Sequence, residues 1–206
     1  MTSDVADWLL ALMVAFAPPE RAEKVDPFPG WEETTEERRE RYADIGRDLY
    51  AFAYHPDTKP VFGGKKGRAR TAALLLAIAY HESGFAKDVD KGPCYRGKNG
   101  DSARCDSGLS ACLMQIHLGK GTTPEGWTQK DLFDDRKKCF GAGLRLIRKS
   151  FSACRSLPLK HRLNAYASGS CAKGHAGSER LMNLGEKFAS RLPMPGPDEK
   201  YLKKKE

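Results

Sequence analysis

Apolar positions recur at helical spacing in several stretches of the chain. Val5, Trp8, Leu9, Leu12, Met13 and Phe16 mark one face of an amphipathic helix. Tyr42, Ile45 and Leu49, with Phe52 or Ala53, mark the inward face of a second, ending near His55-Pro56. Thr34 or Thr35 is its N-cap, with Glu36 and Glu37 in the favourable first turn. From Ala69 to Tyr80 almost every side is apolar, so a helix over 68–82 is the buried centre of the domain. Helical periodicity returns over 134–151, with Phe140, Leu144 and Ile147 on one stripe and Cys139, Gly143 and Leu146 beside it. Shorter helices are expected near 159–167 and 178–189.

Polar segments separate these elements. Pro18 to Gly30 holds four prolines and reads as an extended connector. Gly63-Gly64-Lys65-Lys66-Gly67 reads as a surface turn, because the spacing of a phosphate-binding loop is missing. Residues 86–110 are rich in Gly, Asp and Lys and predict loops or a short hairpin. The last fifteen residues read as an open tail. The expected fold is mainly α, a helical domain around a central buried helix with a small irregular or β-hairpin insert. The division expected is 1–60 as an N-terminal helical extension packed on the core, 61–192 as the main domain and 193–206 as a basic tail.

The 206 residues suffice for one domain with a real core. A formal net charge of +8 favours an anionic partner. Charge alone does not choose among nucleic acid, an anionic membrane face and an acidic wall polymer. The basic residues are scattered rather than interleaved with aromatics, which ranks nucleic acid low. The apolar run from Trp8 to Ala17 is too short to span a bilayer. Asp4 and Asp7 precede it where a signal peptide carries basic residues, so no export route is visible. The six cysteines, all from position 94 onward, nevertheless fit two or three disulfides and an oxidising compartment. Zinc is the rival reading, helped by His117 and His175, but no C-x-x-C pair supplies closely spaced ligands. The short-loop pairing is 94–105, 112–139 and 154–171. No metal or other cofactor is expected.

Glu82 ends the buried helix and is followed by Ser83 and Gly84. An acid beside Ile78, Tyr80 and Phe85, at the partially negative end of a helix, has its anion disfavoured twice. Glycoside cleavage needs such a carboxylic acid, protonated near neutral pH, to protonate the leaving oxygen. Two further strings follow: L-M-Q-I at 113–116 and A-Y-A-S-G at 165–169. With H-E-S-G-F at 81–85 they resemble, in order and rough spacing, the three motifs of the lysozyme-like transglycosylase (SLT) family. The resemblance covers about residues 68–190.

That resemblance implies a lysozyme-like α+β fold and a catalytic acid/base at Glu82. It also implies that Ser83 positions the sugar, that Met114 and Gln115 line the glycan cleft and that Tyr166 hydrogen-bonds near Glu82. Cys112 stands where the family has glycine and Ala167 where it has asparagine, which marks a divergent branch. Asp106, nine residues before Gln115, lies where the similar goose-type lysozymes carry an aspartate, and Asp101 is the nearby alternative. An inverting hydrolase needs this second carboxylate roughly 6.5–9.5 Å from the first, to activate water. A lytic transglycosylase needs none, because the muramic acid C6 hydroxyl is the nucleophile. D-S-G is also ordinary turn composition, so Asp106 as a turn residue stands beside the catalytic reading.

The function expected is cleavage of the β-1,4 bond between N-acetylmuramic acid and N-acetylglucosamine. The partner is the peptidoglycan strand, met outside the cytoplasm by a monomer with no membrane span. A chitin-directed relative and a non-catalytic basic glycan-binding protein are the competing classes.

Overall fold

The computed structural model describes residues 4–22, 31–92, 94 and 104–201. Helices dominate it. They are α1 (Asp4–Phe16), α2 (Pro19–Ala22), α3 (Thr35–Ala53), α4 (Gly67–Ser83), α5 (Lys87–Lys91), α6 (Arg104–Gly108), α7 (Gln129–Asp134), α8 (Arg136–Ala153), α9 (Asn164–Ser168) and α10 (His175–Arg191). The described residues hold one small antiparallel sheet, in which β1 (Ser110–Ala111) pairs Ser110 with His117 and Ala111 with Ile116 of β2 (Ile116–His117).

Helix α4 is the axis of the fold. Apart from Arg70, every residue from Gly67 to Ala79 is buried, as the unbroken apolar run from Ala72 to Ala79 requires. Helix α10 packs along it, α1 packs on α3, and α3 packs on α8. Val5, Leu9, Leu12, Met13, Tyr42, Ile45 and Leu49 join Leu74, Leu75, Leu76 and Phe140 in one core. The first sixty residues thus share their interior with the rest of the chain.

Several elements depart from expectation. Thr34 is the cap of α3 and forms a capping box with Glu37, its hydroxyl accepting from the Glu37 amide at 3.1 Å. That helix stops at Ala53, where the Arg68 guanidinium takes over its last carbonyls, donating to Ala53 O at 2.7 Å and His55 O at 3.0 Å. Part of the expected connector, Pro19–Ala22, is a short helix, since proline suits a first helical turn. Residues 23–30 lie outside the described residues. The polar stretch 86–110 holds two short helices, α5 and α6, rather than loops alone. Helix α10 begins three residues earlier than its apolar period shows and runs to Arg191.

The largest departure is the tail, which is docked as far as Tyr201. Asp198 is buried, accepts from the Arg68 amide at 2.9 Å and so caps the first turn of α4. Tyr54 donates to the same carboxylate at 3.4 Å, and the Tyr201 ring lies edge-on to Tyr54 at 5.8 Å. Lys200 reaches back to Asp4 at 3.0 Å.

A network of charges is buried between α3, α5 and α8. Asp90 accepts from Arg136 Nε and one Arg136 amino group, each at 2.7 Å, and from Arg41 at 3.4 Å. Glu33 accepts from Arg41 at 2.6 and 2.7 Å, and Arg136 also donates to Asp48 at 2.8 Å. Every acid here has a guanidinium, which is the condition for keeping charge out of water.

Six cysteines form three disulfides, Cys94–Cys105, Cys112–Cys139 and Cys154–Cys171, the short-loop pairing. Among the described residues no helix is long and apolar enough to cross a membrane.

Candidate active site

Glu82 lies in the last turn of α4, and the chain turns sharply after it. Gly84 takes φ 57°, a left-handed conformation that ends a helix without a Cβ clash, and its amide donates to Tyr80 O at 2.8 Å. Phe85 also takes φ 57°, and is buried against Tyr42 and Tyr80. Its carbonyl accepts from Arg41 at 2.8 Å. The buried charge network therefore clamps the strand leaving the helix, while Glu82 itself lines a cleft of about 490 Å³.

Three other segments wall that cleft. The turn between β1 and β2 contributes Met114 and Gln115. It closes with the Gln115 amide donating to Cys112 O at 2.9 Å, and both end residues have positive φ, 59° at Cys112 and 47° at Gln115. The position where the family motif has glycine is therefore one whose backbone favours glycine. Here the Cys112–Cys139 disulfide ties that turn to α8. Met114 lies so close to α8 that a Cβ at Gly143 would meet its Cε at 2.6 Å. Helix α8 contributes Leu146, Lys149, Ser150 and Ala153. Helix α9 contributes Ala165 and Tyr166, seated by the Tyr166 amide donating to Ser150 Oγ at 3.0 Å.

The electrostatics single out Glu82. Burial pushes its carboxyl above the ordinary carboxylate value, and the negative charge of Asp106 pushes it further. Burial likewise holds the Tyr166 phenol above its usual range, with the Glu82 charge adding to the effect. Asp106 is exposed on α6 and accepts from Ser110 Oγ at 2.7 Å. Cys105 and Asp106 have φ of 59° and 47°. With Phe85, Cys112 and Gln115 they complete the non-glycine residues of positive φ among those described, so all such backbone strain lies in segments around Glu82.

Glu82, Met114, Gln115 and Tyr166 line one cleft; Asp106 does not line it and acts on Glu82 through its charge, and Asp101 lies outside the described residues. Ser83 is not among the residues lining the cleft; its hydroxyl donates to Ala79 O at 2.5 Å and accepts from the Phe85 amide at 3.1 Å, which caps the helix end. His117 and Lys149 line the cleft without having been singled out for it. The signal for His117 was its place two residues beyond Gln115 in the same hairpin, where alternate residues share a face. For Lys149 it was the helical spacing of Leu146, Lys149, Ser150 and Ala153, a second stripe on α8.

Among the described residues no cluster of His, Cys, Asp and Glu is placed to hold a metal ion. No family model matches the chain, no curated protein matches it, and no solved structure matches its fold.

Proposed function

We propose that this chain is a lysozyme-like peptidoglycan glycosidase that cleaves the β-1,4 bond between N-acetylmuramic acid and N-acetylglucosamine. One observation carries the reading: three motif segments far apart in sequence converge on one cleft around an acid whose pKa is raised. Glu82, whose protonated form is favoured by burial and by the Asp106 charge, donates to the glycosidic oxygen as the bond breaks. Tyr166 keeps its proton beside it, so the phenol is a donor available to the carboxylate that results. Met114 and Gln115 give the sugar a partly apolar wall.

Two nucleophiles can complete the reaction. Water activated by Asp106 gives a muramidase, and the proximity that lets Asp106 raise the Glu82 pKa favours it. The muramic acid C6 hydroxyl, with Glu82 acting as base in the second step, gives a lytic transglycosylase. Three disulfides suit work outside the cytoplasm.

The test is incubation of purified protein with cell-wall sacculi, beside Glu82→Gln, with product ends identified by mass. Reducing ends mean hydrolysis and anhydro-muramic ends mean transglycosylation. Chitin oligomers cleaved in preference to sacculi move the substrate class. Equal product from Glu82→Gln, or binding without product, sinks the enzymatic reading.

A further inference from the structure

Helix α8 is a partition, and the cleft is on only one side of it. A second hollow of about 440 Å³ opens on the other, walled by the end of α3 at Phe52 and the loop from Asp57 to Lys59. Arg145, Arg148 and Lys149 sit at helical spacing on the α8 face that borders it, and Lys149 borders both hollows. Arg145 is engaged by Glu125 at 2.6 Å. Lys59, Arg148 and Lys149 are exposed and have no acidic partner among the described residues. Asp57 is the acid in the lining, and it faces His55 at 3.8 Å. With Arg145 engaged by Glu125, the positive charge at the rim of this hollow is carried by Lys59, Arg148 and Lys149. Its inner wall is apolar, made by Phe52 and Leu144.

We infer that this hollow receives the carboxylate-bearing peptide branch of a glycan whose backbone lies in the cleft, with Lys149 at the junction. The inference rests on the glycosidase reading for the identity of the backbone. A cavity of this size suits one or two amino-acid residues rather than a polymer, cations suit their carboxylates, and Phe52 and Leu144 suit their alkyl parts. An exposed cation contributes modestly to each contact.

The variant to test is Lys59→Glu with Arg148→Glu, both distant from Glu82 in role and exposed. Turnover is compared on glycan strands carrying their peptides and on the same strands stripped of them by an amidase. The expected result is a KM raised roughly five- to tenfold on peptide-bearing strands, with kcat and the KM for stripped strands unchanged. An equal change on both substrates, or none on either, overturns the assignment. Binding of a soluble disaccharide-tetrapeptide to Glu82→Gln protein, followed by NMR, separates this from the parent reading. If wild-type protein cleaves neither substrate, the glycosidase reading fails. The branch site then stands only if that probe binds, weakens when its carboxylates are amidated, and weakens again with the two substitutions. Inorganic phosphate competing as well as the peptide would mark a general anion site and also overturn it.

Discussion

Asp90 and Glu82 are both acids withdrawn from water, in neighbouring parts of one molecule, and they are treated in opposite ways. Asp90 is buried with two guanidinium groups against it, each shared with another acid, Arg41 with Glu33 and Arg136 with Asp48. Around Glu82 the groups that shape its ionisation are burial and another acid, both opposing the anion. The first arrangement holds α3, α5 and α8 together; the second favours a proton on the acid. The two meet at Arg41, which serves Glu33 and Asp90 and also grips Phe85 O, three residues past Glu82. An acid with guanidinium partners is structural here. Of these two acids, the one without such a partner is the candidate for chemistry.

The sharpest break of this contrast is Glu82→Gln. It should cut turnover of sacculi by roughly two to four orders of magnitude with an unchanged far-UV circular dichroism spectrum. Arg136→Met should do the reverse, leaving Asp90 buried with its main partner gone. Urea unfolding should report a loss of about 3–5 kcal/mol, with the pH dependence of whatever activity survives unmoved. If the two variants gave the same phenotype, the division of roles would be wrong.

Covalent ties hold the cleft side where ion pairs hold the other. Replacing Cys112 and Cys139 together by alanine opens a loop of 27 residues and should cost about 3 kcal/mol by thermal unfolding. A fall in kcat beyond that expected from unfolded protein would show that the tie also sets the Met114–Gln115 turn.

Asp106→Asn tests the charge coupling between Asp106 and Glu82. Glu82 acts as an acid when protonated, so the rate falls as pH rises through its pKa. Removing the Asp106 charge lowers that pKa, and the alkaline limb of the pH–rate profile should move to lower pH. If water is the nucleophile, the maximal rate falls as well. If the C6 hydroxyl is, only the limb moves.

The smallest effect is on stability. Folding raises the Glu82 pKa above its ordinary 4.5, so the folded state binds that proton more tightly. The resulting stabilisation is full below the unfolded value and is lost as pH rises through the folded one. Glu82→Gln should therefore stabilise the protein slightly at about pH 8 and make little difference at about pH 4, by urea unfolding at the two pH values.

How much of this was legible beforehand follows from where the information lies. Helices α1, α4 and α8 declare themselves because each buries an apolar stripe or is apolar all round. The charge network does not, since Arg38, Arg41 and Glu33 are letters that usually mean a solvated face, and only their pairing explains their burial. Composition misread residues 194–201 for the same reason: the capping role of Asp198 depends on an amide more than a hundred residues away. At the site, Glu82, Met114, Gln115 and Tyr166 were marked by motif and position. Ser83 was not resolved, because the choice between sugar and backbone is made by the turn at Gly84 and Phe85. The second stripe of α8 needed a tertiary neighbour to acquire meaning.

The ion pair between Lys200 and Asp4 brings the first and last described helical turns side by side. Segments held this close can be joined directly, which is what circular permutation requires. A short polar linker joining them, with new termini opened at the exposed glycines 63 and 64, would move the free ends to the loop that leads into α4. Such a permutant keeps the Asp198 cap and every wall of the cleft on one continuous stretch.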